Sequence, residues 1–311
     1  MNFHTDFIDE IIVEDEISKG FIKKVKTYKK RVQTTYINVS NKDNKYKIEK
    51  GEYAALSFLD INDMSTRNAL EKLLSLNIEY YFQKFLKKDV NKILVIGLGN
   101  RNIISDALGP SVINHIEVNN HLNDYDTKVA ALSLGVMAQT GLETSDVLSA
   151  ISKDYKPDLV ILIDALATKS IKRINRSIQI NDVSISPGSG VGNYRKIINL
   201  KSLSAPLISI GVATVVEAYS IINSTIDYLK DNGYLDIKNN SNIIEKILPF
   251  EDNFFVTPKS IDDDIETLSN IIARAINKAV KEWKNEKVYP WFYDCIFNNC
   301  WRIWHDWCYR E

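Results

Sequence analysis

Short, continuous apolar runs alternate along this chain with longer segments whose apolar residues recur at helical spacing. Lys92–Ile96 (KILVI) and Leu159–Ile163 (LVILI) are typical of strands buried on both faces, because their apolar residues do not alternate with polar ones. Such strands occur in parallel sheets that are covered by helices on both sides. The further predicted strands are Arg31–Ser40, Tyr53–Leu59, Val129–Leu134, Ser177–Ile180, Leu207–Ile210 and Phe254–Val256.

Between these strands the apolar spacing predicts helices. They are Ser65–Lys87, a helix from about Leu108, Thr144–Lys153 with Thr144 or Ser145 as its N-cap, Val215–Leu229, and a helix capped by Ser260. Alternating strands and helices predict an α/β fold with a mainly parallel or mixed central sheet and helices on both faces. The first thirty residues are charged and weakly patterned, so we expect a mobile arm there.

Composition excludes several classes of protein. The chain has 311 residues, 39 Lys and Arg, and 40 Asp and Glu, so its net charge of −1 argues against a general nucleic-acid binder. No apolar run is long enough for a membrane span, and the first residues lack the pattern of a secretory signal. All three cysteines follow position 294, which argues against a disulfide framework and favours a reducing, cytoplasmic setting.

Two aspartates follow the most apolar strands. Asp106 lies in the loop after KILVI, and Asp164 comes directly after LVILI. Because sites form at the carboxyl ends of parallel strands, we expect the two carboxylates to lie together at one edge of the sheet. Two carboxylates in one cleft do not both ionise easily, so the pair can supply an acid and a base that activate water against a peptide carbonyl.

Each aspartate also has an ordinary structural explanation. Asp106 precedes Ala107 and Leu108, where a helix is predicted to begin, and is therefore a candidate N-cap. The alternative for Asp164 is a carboxylate that accepts hydrogen bonds from loop amides, because apolar strands often end in Asp. Sequence spacing alone leaves both explanations open.

Glycine-rich loops are the second candidate feature. Gly188, Ser189, Gly190, Gly192 and Asn193 form an amide-rich loop that can cradle an anion or line a peptide groove, although a plain turn has the same composition. Gly97-Leu98-Gly99 resembles the start of a dinucleotide loop. The third glycine of that motif is replaced by Asn102, so we predict no nucleotide and no other cofactor.

Six blocks in this order resemble the spore germination protease family: GLGNRNIISDALGP, GVMAQTGLETSD, DALATKSIKRIN, SIQINDVSISPGSGVGN, ISIGVATVVEA and FFVTPKSID. The resemblance implies a fold related to the hydrogenase maturation proteases. It also implies an aspartic-type endopeptidase that degrades the small acid-soluble proteins coating spore DNA. The two essential carboxylates of the family match Asp106 and Asp164, and the enzymes are tetramers.

The resemblance also implies a zymogen that removes a short propeptide by self-cleavage after an acidic residue and before a bulky apolar one. Thr5-Asp6-Phe7 has this pattern, so we predict cleavage between Asp6 and Phe7, unless these residues are an ordinary polar arm. The predicted organisation is a propeptide over residues 1–6, one α/β protease domain over 7–286 with 31–90 as an insertion or subdomain, and a tail over 287–311.

Two features depart from the family. Ser186 stands before the Pro-Gly-Ser-Gly loop where the family commonly has His, and this lack of a third ligand leads us to predict no metal. The tail is rich in Trp and holds Cys295, Cys300, His305 and Cys308. This set can supply zinc ligands at an unusual spacing, but burial of the aromatic residues against the body or a neighbouring subunit is the simpler interpretation.

These observations predict a cytoplasmic endopeptidase of the forespore or spore core. Its expected partners are the small acid-soluble proteins and further copies of itself, with no direct contact to nucleic acid or membrane. Asp106 and Asp164 are the predicted catalytic pair, and Asn100, Asn102 and the 188–193 loop are predicted to position the substrate or stabilise its oxyanion. The alternatives are a nickel-dependent maturation-type protease and a non-catalytic binder of spore proteins.

Overall fold

The computed structural model describes residues 5–12, 20–44, 46–86, 91–183, 198, 203–234 and 254–283. The strands are β1 (Phe21–Tyr28), β2 (Val32–Val39), β3 (Gly51–Phe58), β4 (Asn91–Leu98), β5 (Thr127–Leu134), β6 (Leu159–Thr168), β7 (Ser177–Asn181), β8 (Leu207–Glu217) and β9 (Phe255–Val256). The helices are α1 (Ile8–Ile11), α2 (Met64–Phe85), α3 (Leu108–Ile113), α4 (Met137–Thr140), α5 (Thr144–Tyr155), α6 (Ala218–Asp231) and α7 (Ile261–Glu282). Short 3-10 turns span Ile104–Asp106 and Ile171–Arg173. None of the helices in these ranges is long and apolar enough to cross a membrane.

All the described strands belong to one mixed sheet in the order β1-β2-β3-β7-β8-β6-β4-β5, with β9 paired to β8. Strands β5, β4, β6 and β8 run parallel, while β7, β3, β2 and β1 extend the sheet with antiparallel pairs. The prediction of an α/β fold with a mixed central sheet is therefore confirmed. Strands β2 and β3, from the predicted insertion, lie within this same sheet, and the predicted tail over 287–311 lies outside the described residues.

Two apolar cores cover the parallel strands. The larger core holds side chains of α2, α3 and α7, and the smaller one holds Leu148 of α5. Along β6, Ile161 and Ile163 face the larger core, whereas Val160 and Leu162 face the smaller one. Burial on both faces explains why the sequence of this strand shows no polar alternation.

The predicted helix Val215–Leu229 is wrong in its first three residues. Strand β8 continues to Glu217, and α6 begins at Ala218. The β-branched residues Val215 and Val216 pair with the last two residues of β6, and Val216 also pairs with β9. A short apolar run has no periodicity that distinguishes strand from helix, so pairing with the neighbouring strands decides the outcome.

The prediction of a mobile arm over the first thirty residues is wrong for β1, which forms the edge strand of the sheet. Its sequence pattern is weak because Lys23, Lys24 and Lys26 lie along it, and only its two ends, Phe21 and Tyr28, are buried. Lysines on an exposed edge also hinder pairing with other sheets. The short helix α1 occupies another part of this region.

The predicted helix caps differ in detail from those observed. Glu143 is the N-cap residue of α5, and its side chain makes no capping hydrogen bond, so neither Thr144 nor Ser145 is the cap. Ser260 holds the N-cap position of α7 as predicted. Its hydroxyl, however, donates to Asp264 Oδ2 at 2.8 Å and does not cap the helix backbone.

A buried carboxyl on α2 makes stability depend on pH. Glu79 is 4% exposed, and burial is the main cause that raises its pKa above the ordinary value, although the Ser75 hydroxyl donates to Glu79 Oε1 at 2.8 Å. A carboxyl whose pKa is raised by folding favours the folded state below its unfolded pKa of about 4.3. That contribution is lost as the pH rises through the folded value. The charged form is therefore a cost at neutral pH.

We expect Glu79→Gln to raise the thermal midpoint at pH 7 by about 2–4 °C, which corresponds to about 1 kcal/mol in a domain of this size. The amide oxygen still accepts from Ser75, and the buried charge is gone. At pH 4 the gain should disappear. The exposed Glu266 on α7 offers the control Glu266→Gln, for which we expect no shift at either pH. An equal gain at both values of pH would contradict the role of the buried charge.

Candidate active site

Asp106 lies in the connection that follows β4. The strand ends at Leu98, and the chain passes through Gly99 and a loop to the 3-10 turn that ends at Asp106. The backbone N–H of Asn100 donates to Asp106 Oδ2 at 2.7 Å, so the carboxylate folds back onto its own loop. The interpretation of Asp106 as an N-cap is wrong, because the turn places Ala107 at the N-cap of α3.

Asp164 lies inside β6, which continues to Thr168, so the prediction that the strand ends before Asp164 is wrong. Pairing with β4 stops at Gly97 and Ile163, which makes Asp164 the first residue of β6 beyond the end of that ladder. On the other side it pairs with Gly211 of β8. The side chain is 5% exposed, and its Oδ1 accepts from the backbone N–H of Ala165 at 2.9 Å.

Close packing of α3 brings the two aspartates to the same edge of the sheet. A Cβ on Gly109 would lie 2.3 Å from the backbone oxygen of Leu98 and 2.7 Å from that of Ile163, so only glycine allows this approach. The turn that carries Asp106 contacts β6 and β8. Asp106 and Asp164 consequently both lie just beyond the end of the β4–β6 ladder.

Asn100 and Asn102 belong to the same loop as Asp106. Asn100 Oδ1 accepts from the backbone N–H of Asn102 at 3.0 Å and from the side-chain amide of Gln139 on α4. Asn102 itself is exposed. Asn100 thus connects the loops that follow β4 and β5.

Several predicted residues lie outside the described part of the chain. They are the loop residues Gly188, Ser189, Gly190, Gly192 and Asn193, and the tail residues Cys295, Cys300, His305 and Cys308. Within the described ranges, no three or more His, Cys, Asp or Glu side chains are grouped in a way that could hold a metal ion.

The N-terminal segment, defined here as Thr5–Ile12, is docked on the sheet. Its backbone N–H at Asp6 donates to the oxygen of Ala167 at 3.0 Å, and the N–H of Ala167 donates to Asp6 Oδ2 at 2.8 Å. Gln179 Nε2 donates to the backbone oxygen of Asp6, and Gln179 Oε1 accepts from the N–H of Ile8, both at 2.9 Å. Strands β6 and β7 therefore hold the segment from two sides.

Phe7 is the apolar anchor of this segment. Its side chain is fully buried against Ala55, Leu166 and Ala213. The guanidinium carbon of Arg173 lies 4.4 Å from the centre of its ring, a cation–π contact. A bulky apolar residue at this position thus has a shaped pocket of its own.

Two acidic residues of α1 also bind the N-terminal segment to the rest of the protein. Glu10, which is 8% exposed, accepts from the hydroxyl of Thr168 at 2.8 Å and from the backbone N–H of Lys169 at 3.1 Å. Asp9 forms an ion pair with Arg173 at 2.8 Å. The hydroxyl of Thr5 also donates to Glu10. These polar contacts fix the segment in a single register.

The docked segment and Asp164 share one face of the sheet. Asp164 pairs with Gly211, and Gly211 pairs with Gln179, so these three residues form one row across β6, β8 and β7. The chain neighbours of Asp164 and of Gln179 face the larger core, so both of these side chains project from the opposite face. Phe7 lies on this opposite face as well, against Leu166, two residues after Asp164.

Three residues that hold the docked segment were not predicted from the sequence: Gln179, Ala167 and Arg173. Their partners lie more than 160 positions away in the chain, which no local pattern reveals. One signal was present, because Gln179 is a polar residue between Ile178 and Ile180 in an otherwise apolar strand. A buried polar residue of this kind needs a partner and marks a position worth examining.

Comparison with solved structures identifies hydrogenase maturation proteases. The HycI [NiFe] hydrogenase maturation protease from Thermococcus kodakarensis is 17% identical, with a TM-score of 0.34 over 63% of this chain and 98% of that one. A hydrogenase 2 maturation peptidase from a thaumarchaeote is 18% identical, with a TM-score of 0.23 over 46% of this chain and 99% of that one.

Sequence comparison is far more specific. A family model described as germination protease matches residues 8–239. The germination protease of Clostridium tetani is 36% identical over 90% of this chain and 96% of its own length. That of Caldanaerobacter subterraneus is 41% identical over 72% of this chain and 76% of its own. The chain therefore belongs to the germination protease family, a family of peptidases.

Proposed function

We propose that this protein is an endopeptidase that degrades small acid-soluble, DNA-binding spore proteins during germination. It acts in the cytoplasm of the forespore and in the spore core, as a homotetramer. Membership of the germination protease family carries the spore-protease part of this proposal. Its substrates are proteins, and nucleic acid is not contacted directly.

Asp106 and Asp164 form the catalytic pair in this proposal. Their common position just beyond the end of the β4–β6 ladder is the observation that supports it. One carboxylate accepts a proton from water while the other, in its protonated form, donates to the departing amine. Asn100 and Asn102 lie in the Asp106 loop and position the substrate, together with the loop over Gly188–Asn193.

The chain is made as a zymogen that cuts itself between Asp6 and Phe7. The docked N-terminal segment supports this step, because it lies on the same face of the sheet as Asp164. Its acidic residue accepts a backbone hydrogen bond from β6, and its bulky apolar residue fills a pocket. The specificity expected for external substrates, an acidic residue followed by a bulky apolar one, is the pattern held there.

N-terminal sequencing and intact mass measurement of the active protein test this site. We expect the processed chain to begin at Phe7, and to do so within a preparation that also degrades a purified small acid-soluble spore protein. Mass analysis of the fragments should show cuts after acidic residues. A mature chain beginning at Met1, or beyond Ser18, would contradict the cleavage site.

The variant Phe7→Ala tests whether the Phe7 pocket holds the segment that is cut. It empties the pocket formed by Ala55, Leu166 and Ala213, and burying a Phe side chain stabilises the docked state by about 3 kcal/mol. We expect self-cleavage to slow at least tenfold. The matched control is Phe58→Ala on β3, which creates a comparable cavity in the larger core. If only the Phe58 variant slows self-cleavage, the pocket is not used to hold the scissile segment.

A further inference from the structure

The side-chain amide of Gln179 holds the N-terminal segment by its backbone alone. Nε2 donates to the oxygen of Asp6, and Oε1 accepts from the N–H of Ile8, each at 2.9 Å. Because both ends of the amide are used, the network fixes which end is the donor. The side chain is 5% exposed and lies between the buried Ile178 and Ile180, so its position is well defined.

The acceptor of this hydrogen bond is the carbonyl of the bond proposed to be cut. The oxygen of Asp6 belongs to the peptide that joins Asp6 to Phe7, and attack on that carbonyl carbon would place negative charge on this oxygen. A fixed amide donor at 2.9 Å is within the range in which oxyanion donors act. In the ground state the same bond orients the peptide.

The position of Gln179 in the sheet fits such a role. It occupies the same row and the same face as Asp164, with Gly211 of β8 between them. Two strand spacings separate their backbones, about 10 Å. The Leu166 side chain lies over Gly211, 2.4 Å from the position of an added Cβ, and Phe7 packs against Leu166.

We propose that Gln179 positions the Asp6–Phe7 bond for self-cleavage and stabilises the negative charge that develops on the Asp6 oxygen. This inference rests on the proposed self-cleavage. In that step a water oxygen bonds to the Asp6 carbonyl carbon, the bond to the Phe7 nitrogen breaks, and that nitrogen takes up a proton. Gln179 exchanges no proton and contributes only its hydrogen bond.

The variant Gln179→Glu separates the donor from the acceptor. The carboxylate still accepts from Ile8, but when ionised it cannot donate to Asp6. We expect the first-order rate of appearance of the Phe7 chain at neutral pH to fall about 10²–10³-fold, the usual effect of losing one oxyanion donor. The thermal midpoint of the uncut chain should change by only a few degrees.

Acid conditions provide a readout that a purely structural role would not change. The ionisable groups of the elements packed around position 179 are Asp6 of the segment, Asp9 and Glu10 of α1, Asp164 of β6, and Arg173. Once protonated, the carboxyl introduced at position 179 can donate again. The self-cleavage rate of Gln179→Glu relative to wild type should therefore recover as the pH falls. Gln179→Met, which has similar volume and no donor, should stay slow at every pH. Gln33→Glu, on the exposed side of β2, is the control for added charge.

Three outcomes are distinguishable. A slow Gln179→Glu variant that recovers in acid, beside a slow Gln179→Met variant that does not, supports the role. A wild type cut at Phe7 with a Gln179→Glu rate within threefold, or with no recovery in acid, overturns the inference and leaves the proposed protease intact. A wild type cut elsewhere, or not at all, overturns the proposed cleavage site and this inference with it.

Discussion

Asp106→Asn and Asp164→Asn should each abolish degradation of a small acid-soluble spore protein and self-cleavage alike, with a loss of about 10³-fold or more. Asparagine keeps the shape of the side chain but neither takes up nor releases a proton at neutral pH. General acid–base catalysis by a positioned side chain contributes about 10²–10⁴-fold. In each variant the rates of substrate degradation and of self-cleavage should therefore fall close to the limit of detection.

Each variant must also be shown to fold like the wild type. Asp106 accepts from the Asn100 amide and Asp164 from the Ala165 amide, and an asparagine oxygen can accept in the same places. We therefore expect thermal midpoints within a few degrees of wild type. Asp154→Asn, at an exposed position of α5, is the matched control and should retain full activity.

The measurement combines intact mass with fragment mass analysis on the same samples. Both activities should disappear together, because one carboxylate pair serves the chain's own segment and external substrates. If one variant keeps activity within tenfold of wild type, its carboxylate has no place in the mechanism. If a variant degrades external substrate but does not process itself, the two reactions use different groups.

Much of the sheet was predictable from the sequence, for a physical reason. The runs KILVI and LVILI are apolar without alternation because β4 and β6 are buried on both faces. Their ends were less predictable. Strand β6 runs five residues past Ile163, because its pairing with β8 continues after its pairing with β4 has stopped. The local sequence does not predict pairing with a strand that lies far along the chain.

The candidate site was predictable in part. Asp106 and Asp164 follow the apolar runs KILVI and LVILI, so the rule on strand ends directs attention to them, although β6 continues past Asp164. Gln179 and Arg173 bind a segment that lies more than 160 residues earlier in the chain, so the local sequence does not reveal their role. The docked segment itself is short, and Phe7 enters a pocket that exists only after the sheet has formed.

The geometry of the Asp106 loop depends on a glycine. Gly99 has a φ of +117°, which residues with a side chain rarely adopt. A Cβ at this position would lie 2.0 Å from the backbone oxygen of Asp106. It would also lie 3.0 Å from Asp106 Oδ1. The loop closes onto the carboxylate only because residue 99 has no side chain.

We expect Gly99→Ala to displace Asp106 and to lower proteolytic activity about 10²-fold or more, since a shift of about 1 Å in a reacting group can cost that much. The strained backbone should cost about 1–3 kcal/mol, lowering the thermal midpoint without unfolding the protein at 25 °C. Activity and midpoint are measured on the same preparation.

Gly233→Ala separates strain from collision. Gly233 has a φ of +73°, and no atom lies within 4 Å of the position of an added Cβ, so alanine there meets backbone strain alone. This variant should lose about 1 kcal/mol of stability and keep its activity. If Gly99→Ala behaves like Gly233→Ala, the loop tolerates a side chain and Asp106 need not be held in the observed position. A loss confined to Gly99→Ala would tie proteolysis to the placement of the Asp106 carboxylate, independently of any change to that carboxylate itself.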